Sequence, residues 1–481
     1  MIDLVKKRCW MNPEHYFVLK SGESIKSLEE LILFLKNMDK ETFEYHVNDA
    51  KNDFANWMRY VFKASKLADK IADYSYQDRK HIISLIERHL KELKVLVVNA
   101  GSSSLKFQLI EFHSRDVLFS GIIDAINLDN CKMTIFFDEI KELKVSVKNH
   151  EEAIKLLLDS MLEHEIIGNI NDIKAIGHRV VHGGEYFKEP VIIDNDVISK
   201  LELLSNIAPL HNPPNVACIK ACQKLVSIPQ VTVFDTSFHH TIARDKYLYG
   251  LPYDFYNKYK IRKYGFHGTN HKYITKLLME YYKIKKKKNP KFIICHLGNG
   301  CSITAVKNGK SFNTSMGFTP TDGLIMGTRS GSLDPYIAVH LEKILGIGYD
   351  ELGKILNKQS GLLGISGYSD MRMIRKYQRE DRCKLAMDMF ADRLTHYIGA
   401  YIAELNGVDG IAFTAGIGEN AHYIRKKVLD NFRFLGLRLD PKKNLKNDFI
   451  ITRKDSKIEV FVIKANEELQ IAEETKRLLK L

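Results

Sequence analysis

The chain has 481 residues, 45% apolar and 27% charged, which excludes a disordered or fibrous protein and leaves a globular one with room for roughly three domains. Its formal net charge of +13 suits small anionic substrates. No aromatic-interleaved basic stripe points to nucleic acid, and no apolar run approaches the ~18 residues of a membrane span.

Residues 1–92 read as a separate, mainly helical domain. "SIKSLEELILFLKNMDKETFEYHV" offers Ser24 and Ser27 as caps and helix-spaced Leu28, Leu31, Leu33 and Leu35. "NDFANWMRYVFKAS" and "YQDRKHIISLIERHLKEL" continue the helical pattern. His46, Asp53 and Trp57 lack the company of a ligand cluster and read as structural. The opening "MIDLVKKRCWMNPEHYF" has no signal-peptide core, so a cytoplasmic protein is expected.

From Lys94 the pattern changes to strands alternating with helices. "KVLVVN" and "SLKFQLIEF" read as two strands joined by a Gly-Ser turn, "EEAIKLLLDSMLEHEII" as a helix, and "IKAIGHRVVHGG" as strand then loop. "PPNVACIKACQKLV" is a helix opened by prolines and "VTVFDTSF" a strand. After Asp235 the style repeats: "KFIICHLGNGCSITAVKNGKSF" gives strand, glycine turn, strand and an Asn308-Gly309 hairpin. The basic run "KIKKKKNP", Lys283–Pro290, precedes it as a solvated loop. A long helix near "CKLAMDMFADRLTHYIGAYIAEL", a strand with a glycine turn at "GIAFTAGIGEN", and a last strand and helix follow. The echo of "VVNAGSSSLKFQLI" in "ICHLGNGCSITAVK" fits two α/β halves that arose by duplication and close on a ligand.

Glycines let backbone N–H groups approach an anion, and serines add hydroxyl donors. "NAGSSSLK" therefore suits phosphate, with Lys106 as a point charge, and "HLGNG" and "GIGEN" repeat the idea. None is a Walker loop: at Gly309-Lys310-Ser311, Thr304 stands where that motif needs its first glycine. Arg179 and Arg329 lie in strand-ended or glycine-rich settings where a planar guanidinium fits carboxylate and phosphate. His211, His267 and Asp235 also fall at strand ends, where ligands bind in α/β proteins. Of the seven cysteines, Cys218 and Cys222 share a helix, but no histidine or second pair completes a zinc set, so reduced thiols are expected.

At this point the residues carry a resemblance. "VLVVNAGSSSLKFQL", "GHRVVHGGE", "APLHNPPN", "FDTSFH", "YGFHGTNH", "HLGNGCSITAV", "GLIMGTRSG", "SGLLGISG", "FTAGIGEN" and "NEELQIA" occur in this order, and together they closely resemble the acetate kinase family. That family belongs to the acetate and sugar kinase/heat-shock 70/actin superfamily. The resemblance implies a two-lobed, actin-like (ribonuclease H-like) duplicated α/β fold with an inter-lobe cleft. The first lobe would span 93–236 and be rejoined by 463–481, and the nucleotide-binding lobe would span 237–462. It implies reversible transfer of a phosphoryl group between ATP and a short carboxylate, cytoplasmic location, a homodimer, and Mg²⁺ with Mn²⁺ able to substitute.

By motif, Asn99 and Glu467 match metal-linked residues, and Ser102, Ser104 and Lys106 the phosphate turn. Arg179 and Arg329 match the arginines that hold carboxylate and the transferring phosphoryl group. His267 matches the transition-state stabiliser, His211 a supporting histidine, and Asp235 the essential acid. His296, Leu297, Gly298, Asn299 and Gly300 match nucleotide-contacting positions, as do Asp370, Met371 and Arg372, and Gly416, Ile417, Gly418, Glu419 and Asn420. Val181, Leu210, Phe266 and Pro320 match the apolar pocket for the acyl methyl group.

The chain departs from the pattern in places. Asn270 stands where Ser is usual, "SGYSDMRMI" is one residue short, and Lys464-Ala465 replaces a common Pro-Thr. Ser332 and Tyr336 also deviate. The leading segment from Tyr16 resembles a small helical domain of unassigned function attached to varied prokaryotic proteins, from which no activity is inferred.

Overall fold

The computed structural model describes residues 16–62, 65–72, 79–91, 93–112, 114–137, 139–209 and 211–481; Leu210 and Cys9 lie outside them. Two short antiparallel pairs, β1 (Phe17–Val18) with β2 (Ser24–Ile25) and β3 (Val47–Asn48) with β4 (Lys51–Asn52), punctuate the first helices. These helices are Leu28–Asn37, Lys40–His46, Asp53–Tyr60, Ser65–Ala72 and Arg79–Lys91. Ser27 caps the first: its Oγ accepts from Glu30 N at 3.1 Å, and Glu30 reaches back to Lys26 N at 2.8 Å. Leu28, Leu31, Leu35, Phe54, Trp57, Ile82 and Ile86 share an apolar cluster of their own. Leu33 faces solvent instead, 60% exposed. His46 is a buried pin that accepts from Lys20 N at 3.1 Å and meets Asp53 Oδ2 at 3.1 Å, which is the structural part expected of it.

The chain then divides into two compact units. One runs up to Phe234 and takes back Glu468–Leu481; the other is Asp235–Glu467. The first carries β5 (Lys94–Ala100), β6 (Ser104–Glu111), β7 (Asp116–Asp124), β8 (Lys132–Phe136), β9 (Ile140–Lys144), β10 (Ile173–Val180), β11 (Val191–Ile192) and β12 (Gln230–Phe234), in the order β11-β12-β10-β5-β6-β7-β8-β9. β10 runs parallel to β5 and β12, while β5, β6 and β7 are antiparallel neighbours. β5 is apolar on both faces. Leu96 and Val98 join the helices His150–Glu163 and Asn212–Leu225 in one cluster, and Val95 and Val97 pack with the C-terminal helix Glu467–Leu479 in another. Gly177 on β10 lets that helix approach, since a Cβ there would lie 2.7 Å from Ile471 Cγ2.

The second unit carries β13 (Lys291–Leu297), β14 (Cys301–Lys307), β15 (Lys310–Thr314), β16 (Gly410–Thr414) and β17 (Glu459–Val462), in the order β15-β14-β13-β16-β17. Here too an antiparallel β13-β14-β15 meander leads into strands parallel to β13. The run β17-β16-β13-β14-β15 therefore repeats β12-β10-β5-β6-β7 in order and direction, which is the duplication expected from the echoing glycine turns. Asn308 (φ 54°) and Gly309 (φ 75°) make the tight turn from β14 to β15.

One expectation is corrected: "AGIGEN" is not a glycine turn but a helix, Ala415–Asn420. Side-chain hydrogen bonds to its carbonyls accompany the helix. The guanidinium of fully buried Arg425 donates to Gly418 O (2.7 Å) and Glu419 O (2.9 Å), and Asn420 Nδ2 donates to Gly416 O (2.9 Å). Among the described residues no helix is long and apolar enough to cross a membrane.

Candidate active site

In the first unit, the site residues gather at the C-terminal ends of β5 and β10. Asn99 pairs with Lys106 across the β5–β6 hairpin, and Gly101 N donates to Ser104 O at 2.7 Å, so the turn is closed and holds out an exposed Ser102 and Lys106. Asn99 Oδ1 accepts from Arg179 Nη1 at 3.4 Å, which joins the turn to the end of β10. Ser104 and Val181 are half-buried beside these residues in sequence, and His211 is the N-cap of Asn212–Leu225, whose first turn carries Pro213 and Pro214.

Two buried asparagines outside the expected site residues, Asn212 and Asn215, hold this corner together. Asn215 Nδ2 donates to Ala100 O at 2.7 Å, and its Oδ1 accepts from Val181 N at 3.1 Å. Asn212 brackets His182 in the same way, accepting from its N–H at 3.2 Å and donating to its carbonyl at 3.0 Å. One helix N-terminus thereby fixes both the phosphate-type turn and the segment after Arg179. Both residues stand in the quoted "HNPPN"; the signal was an amide at each end of a proline-opened helix turn.

In the second unit, Asp235 follows β12 and is 1% exposed; its Oδ1 accepts from Thr269 Oγ1 at 2.8 Å, and its carbonyl accepts from Gly268 N at 2.8 Å. A Cβ on Gly268 would meet that carbonyl at 2.1 Å, so only glycine permits the approach. His267, with φ 56° and ψ 20°, is the N-cap of the helix Gly268–Ile284. Its ring stacks on His296 with centroids 4.0 Å apart. His267 Nδ1 and His271 Nε2 both meet Ser302 Oγ, at 3.0 and 2.8 Å.

The buried His271 has no hydrogen-bond partner for Nδ1, and burial drives its pKa well below 6.5. Its proton therefore belongs on Nε2 and is given to Ser302. The Ser302 hydroxyl then donates to His267 Nδ1, which leaves Nε2 as the ring's N–H donor.

That edge of the ring lies beside Gly300. A Cβ at Gly300 would sit 3.3 Å from His267 Nε2 and 3.4 Å from Arg329 Nη1, so the two donors converge on the glycine turn between β13 and β14. Arg329 is held by a tight loop: Met326 N donates to Arg329 O (3.1 Å), and Gly361 (φ 64°) lies where a Cβ would strike the same carbonyl at 2.5 Å. Its guanidinium, depressed in pKa by burial, reaches Pro320 O at 3.4 Å. Phe266 is buried, and its carbonyl accepts from His239 Nε2 at 3.0 Å. Pro320 is half-buried. Asn270 Nδ2 donates to His296 Nδ1 at 2.7 Å, a bond that serine is too short to copy.

Of the nucleotide-type positions, His296 and Leu297 end β13, Asn299 is exposed, and Gly298 N closes the turn onto Gly300 O at 3.0 Å. Gly416, Ile417, Gly418, Glu419 and Asn420 form the short helix after β16, whose Glu419 Oε1 accepts from Ala465 N at 2.9 Å. That bond anchors the segment where Lys464-Ala465 replaces Pro-Thr. Asp370 caps Met371–Lys376 and holds Arg372 through Nε (3.1 and 3.0 Å) and Nη2 (2.6 Å); hydrogen bonds from Arg372 lower its pKa. Met371 is buried. Glu467 opens the last helix.

Comparison with known proteins places this geometry. Residues 94–473 match the acetokinase family. The chain is 49% identical over 397 residues to an acetate kinase of Carboxydothermus hydrogenoformans, covering 80% of this chain and 99% of that one. Among solved structures, a propionate kinase from Francisella tularensis (42% identity, TM-score 0.76) and Porphyromonas gingivalis acetate kinase (39%, TM-score 0.77) each match 80% of this chain and 100% of their own. Sheet order, the ordered motifs and these matches agree, and the chain belongs to the acetokinase family, with that family's two-lobed, actin-like α/β fold following a partly helical N-terminal segment.

Proposed function

We propose that the protein is an acetate kinase, which transfers the γ-phosphoryl group of ATP to acetate, reversibly, to give acetyl phosphate and ADP. The observation that carries the reading is the approach of His267 Nε2 and Arg329 Nη1 to one glycine, Gly300, in the turn between β13 and β14. The 49% identity to an acetate kinase over nearly its whole length supports the substrate. Likeness to a propionate kinase at 42% favours a second reading, a broader short-chain acyl kinase.

Acetate is already a carboxylate, so no base is needed to make the nucleophile. The barrier is repulsion between that carboxylate and the phosphates, together with alignment. Arg179 and Arg329 neutralise carboxylate and phosphoryl oxygens, and the His267 Nε2–H donates to a phosphoryl oxygen as charge spreads over it. One acetate oxygen forms the new P–O bond as the bond to the ADP oxygen breaks, and the electron pair leaves on ADP. His211 supports the acyl side, while Val181, Leu210, Phe266 and Pro320 receive the methyl group. Ser102, Ser104 and Lys106 hold phosphate, and the segments from His296, Asp370 and Gly416 hold the nucleotide.

Asn99 and Glu467 each offer the hard oxygen donor that Mg²⁺ takes, and the long 3.4 Å bond from Arg179 leaves the Asn99 amide oxygen a lone pair to offer. When bound, that ion offsets phosphate charge. Asp235, buried and fixed by Thr269, serves the metal and the arginines rather than becoming phosphorylated. Residues 1–92 would form an accessory domain, and a homodimer is proposed on family grounds, checked by light scattering of the full chain.

A hydroxamate assay with ATP and acetate, propionate or butyrate tests the activity; no acyl phosphate from any of the three would defeat it. Retention of configuration at a chiral phosphate would overturn direct transfer. Arg329→Ala should lower kcat by several orders with the fold intact, and a loss under about tenfold is too small for stabilisation of phosphoryl charge.

A further inference from the structure

His178 on β10 and Cys218 and Cys222 on the helix Asn212–Leu225 bring one ligand atom each within 4.8 Å of one another, and all three residues are buried. The sequence offers no histidine to complete this cysteine pair, because His178 lies on another element and only strand-to-helix packing brings it close. The two thiols are one helical turn apart, on the same face. His178 Nε2 gives its hydrogen to Gln230 Oε1 at 2.7 Å, which fixes the tautomer and leaves Nδ1 with a lone pair. Metal-binding histidines are oriented in this manner by a carbonyl behind the ring.

Buried cysteines most often act as small apolar groups, and these two do pack in the core beneath β5 and β10. A purely apolar role leaves the carbonyl-oriented imidazole beside them without a purpose. Two thiolates also cancel the charge of a divalent ion, which lessens the cost of holding it in a dry core.

We propose that His178, Cys218 and Cys222 form a site for a thiophilic closed-shell cation, zinc(II) or copper(I), that pins the helix Asn212–Leu225 to β10. The ion displaces both thiol protons and forms two metal–sulfur bonds and one metal–nitrogen bond, with no change of oxidation state. Its effect would be felt nearby. Arg179 follows His178 directly, and Asn215, one turn before Cys218, holds the Ala100 carbonyl and the Val181 N–H. The site thus lies under the corner that presents Arg179 and the serine turn, and it is separate from the oxygen donors assigned to Mg²⁺.

The test uses the reduced full-length chain, stripped with chelator and returned to excess Mg²⁺. Titration with Co²⁺ should give a thiolate-to-cobalt charge-transfer band at one equivalent per chain. Displacement of cobalt by Zn²⁺ assigns zinc; capture of Cu⁺ from a competing bicinchoninate chelator without that displacement assigns copper; if both occur, the tighter ion takes the assignment. Cys218→Ala and Cys222→Ala should each weaken binding at least 100-fold, and the bound ion should raise the parent's thermal midpoint by more than about 3 °C and leave the variants unmoved. A parent chain with neither a cobalt–thiolate band nor copper uptake overturns the proposal. So does a band that survives in Cys218→Ala. If an alanine variant does not fold, His178→Gln takes its place and the parent titration alone still decides.

Discussion

Gly300→Ala isolates the aim of the two donors. The added Cβ would lie 3.3 Å from His267 Cε1 and Nε2 and 3.4 Å from Arg329 Nη1, against an ordinary carbon contact of about 3.5–4.0 Å. Relief takes a shift of a few tenths of an ångström. The His267 ring has little freedom to give, because Ser302 holds Nδ1 and His296 stacks behind it. Arg329 yields more easily, but toward Pro320 and away from the turn. A small misplacement of charge-stabilising donors costs about 10- to 100-fold in kcat, about 1.4–2.7 kcal/mol on the barrier. Folding should not suffer: Gly300 is not among the positive-φ glycines, so alanine fits its backbone and reduces the entropy of the unfolded chain. The expected signature is a thermal midpoint equal to or above the parent's with a kcat at least tenfold lower, read by steady-state assay with ATP and acetate. A kcat within twofold of the parent would refute the convergence argument.

Other outcomes follow from buried groups. Arg425→Met should destabilise the chain by about 3 kcal/mol in urea unfolding, because it strips donors from Gly418 O, Glu419 O, Asn444 O and the side-chain oxygens of Asn444 and Asn447; a loss under about 1 kcal/mol would contradict it. His239 has its pKa lowered from 6.5 to about 4 by burial, so the unfolded chain takes up the proton first as pH falls. Its contribution is fully present above about pH 6.5 and is lost toward pH 4. Between pH 7 and 4.5 His239→Gln should remove about 2–3 kcal/mol of the acid loss, and His271, depressed in the same direction, should retain its own share.

What the sequence disclosed was what local chemistry decides. The hairpin from Asn99 to Ser104 and the Asn308-Gly309 turn need nothing beyond their own residues, and the repeated strand–glycine–strand style made the duplication legible. The asparagine clamps were not, since their partners stand 30 and 115 positions away. Arg425 in "HYIRKK" reads as one more surface cation, yet it is fully buried and its guanidinium bonds two carbonyls of the helix that "AGIGEN" forms. The Cys218–Cys222 spacing was visible, but the histidine that completes the trio came only with the sheet. Asn270, standing where serine is usual, is long enough to reach His296.

The left-handed backbone of His267 has a consequence for anyone who engineers this protein. A side chain other than glycine or asparagine at that conformation costs about 1–2 kcal/mol, so the position is a place where durability is forgone to aim an imidazole. Directed evolution scored on heat resistance alone would drift toward glycine or asparagine at 267 and report success while the turnover disappeared. Only a screen that demands both properties keeps the histidine.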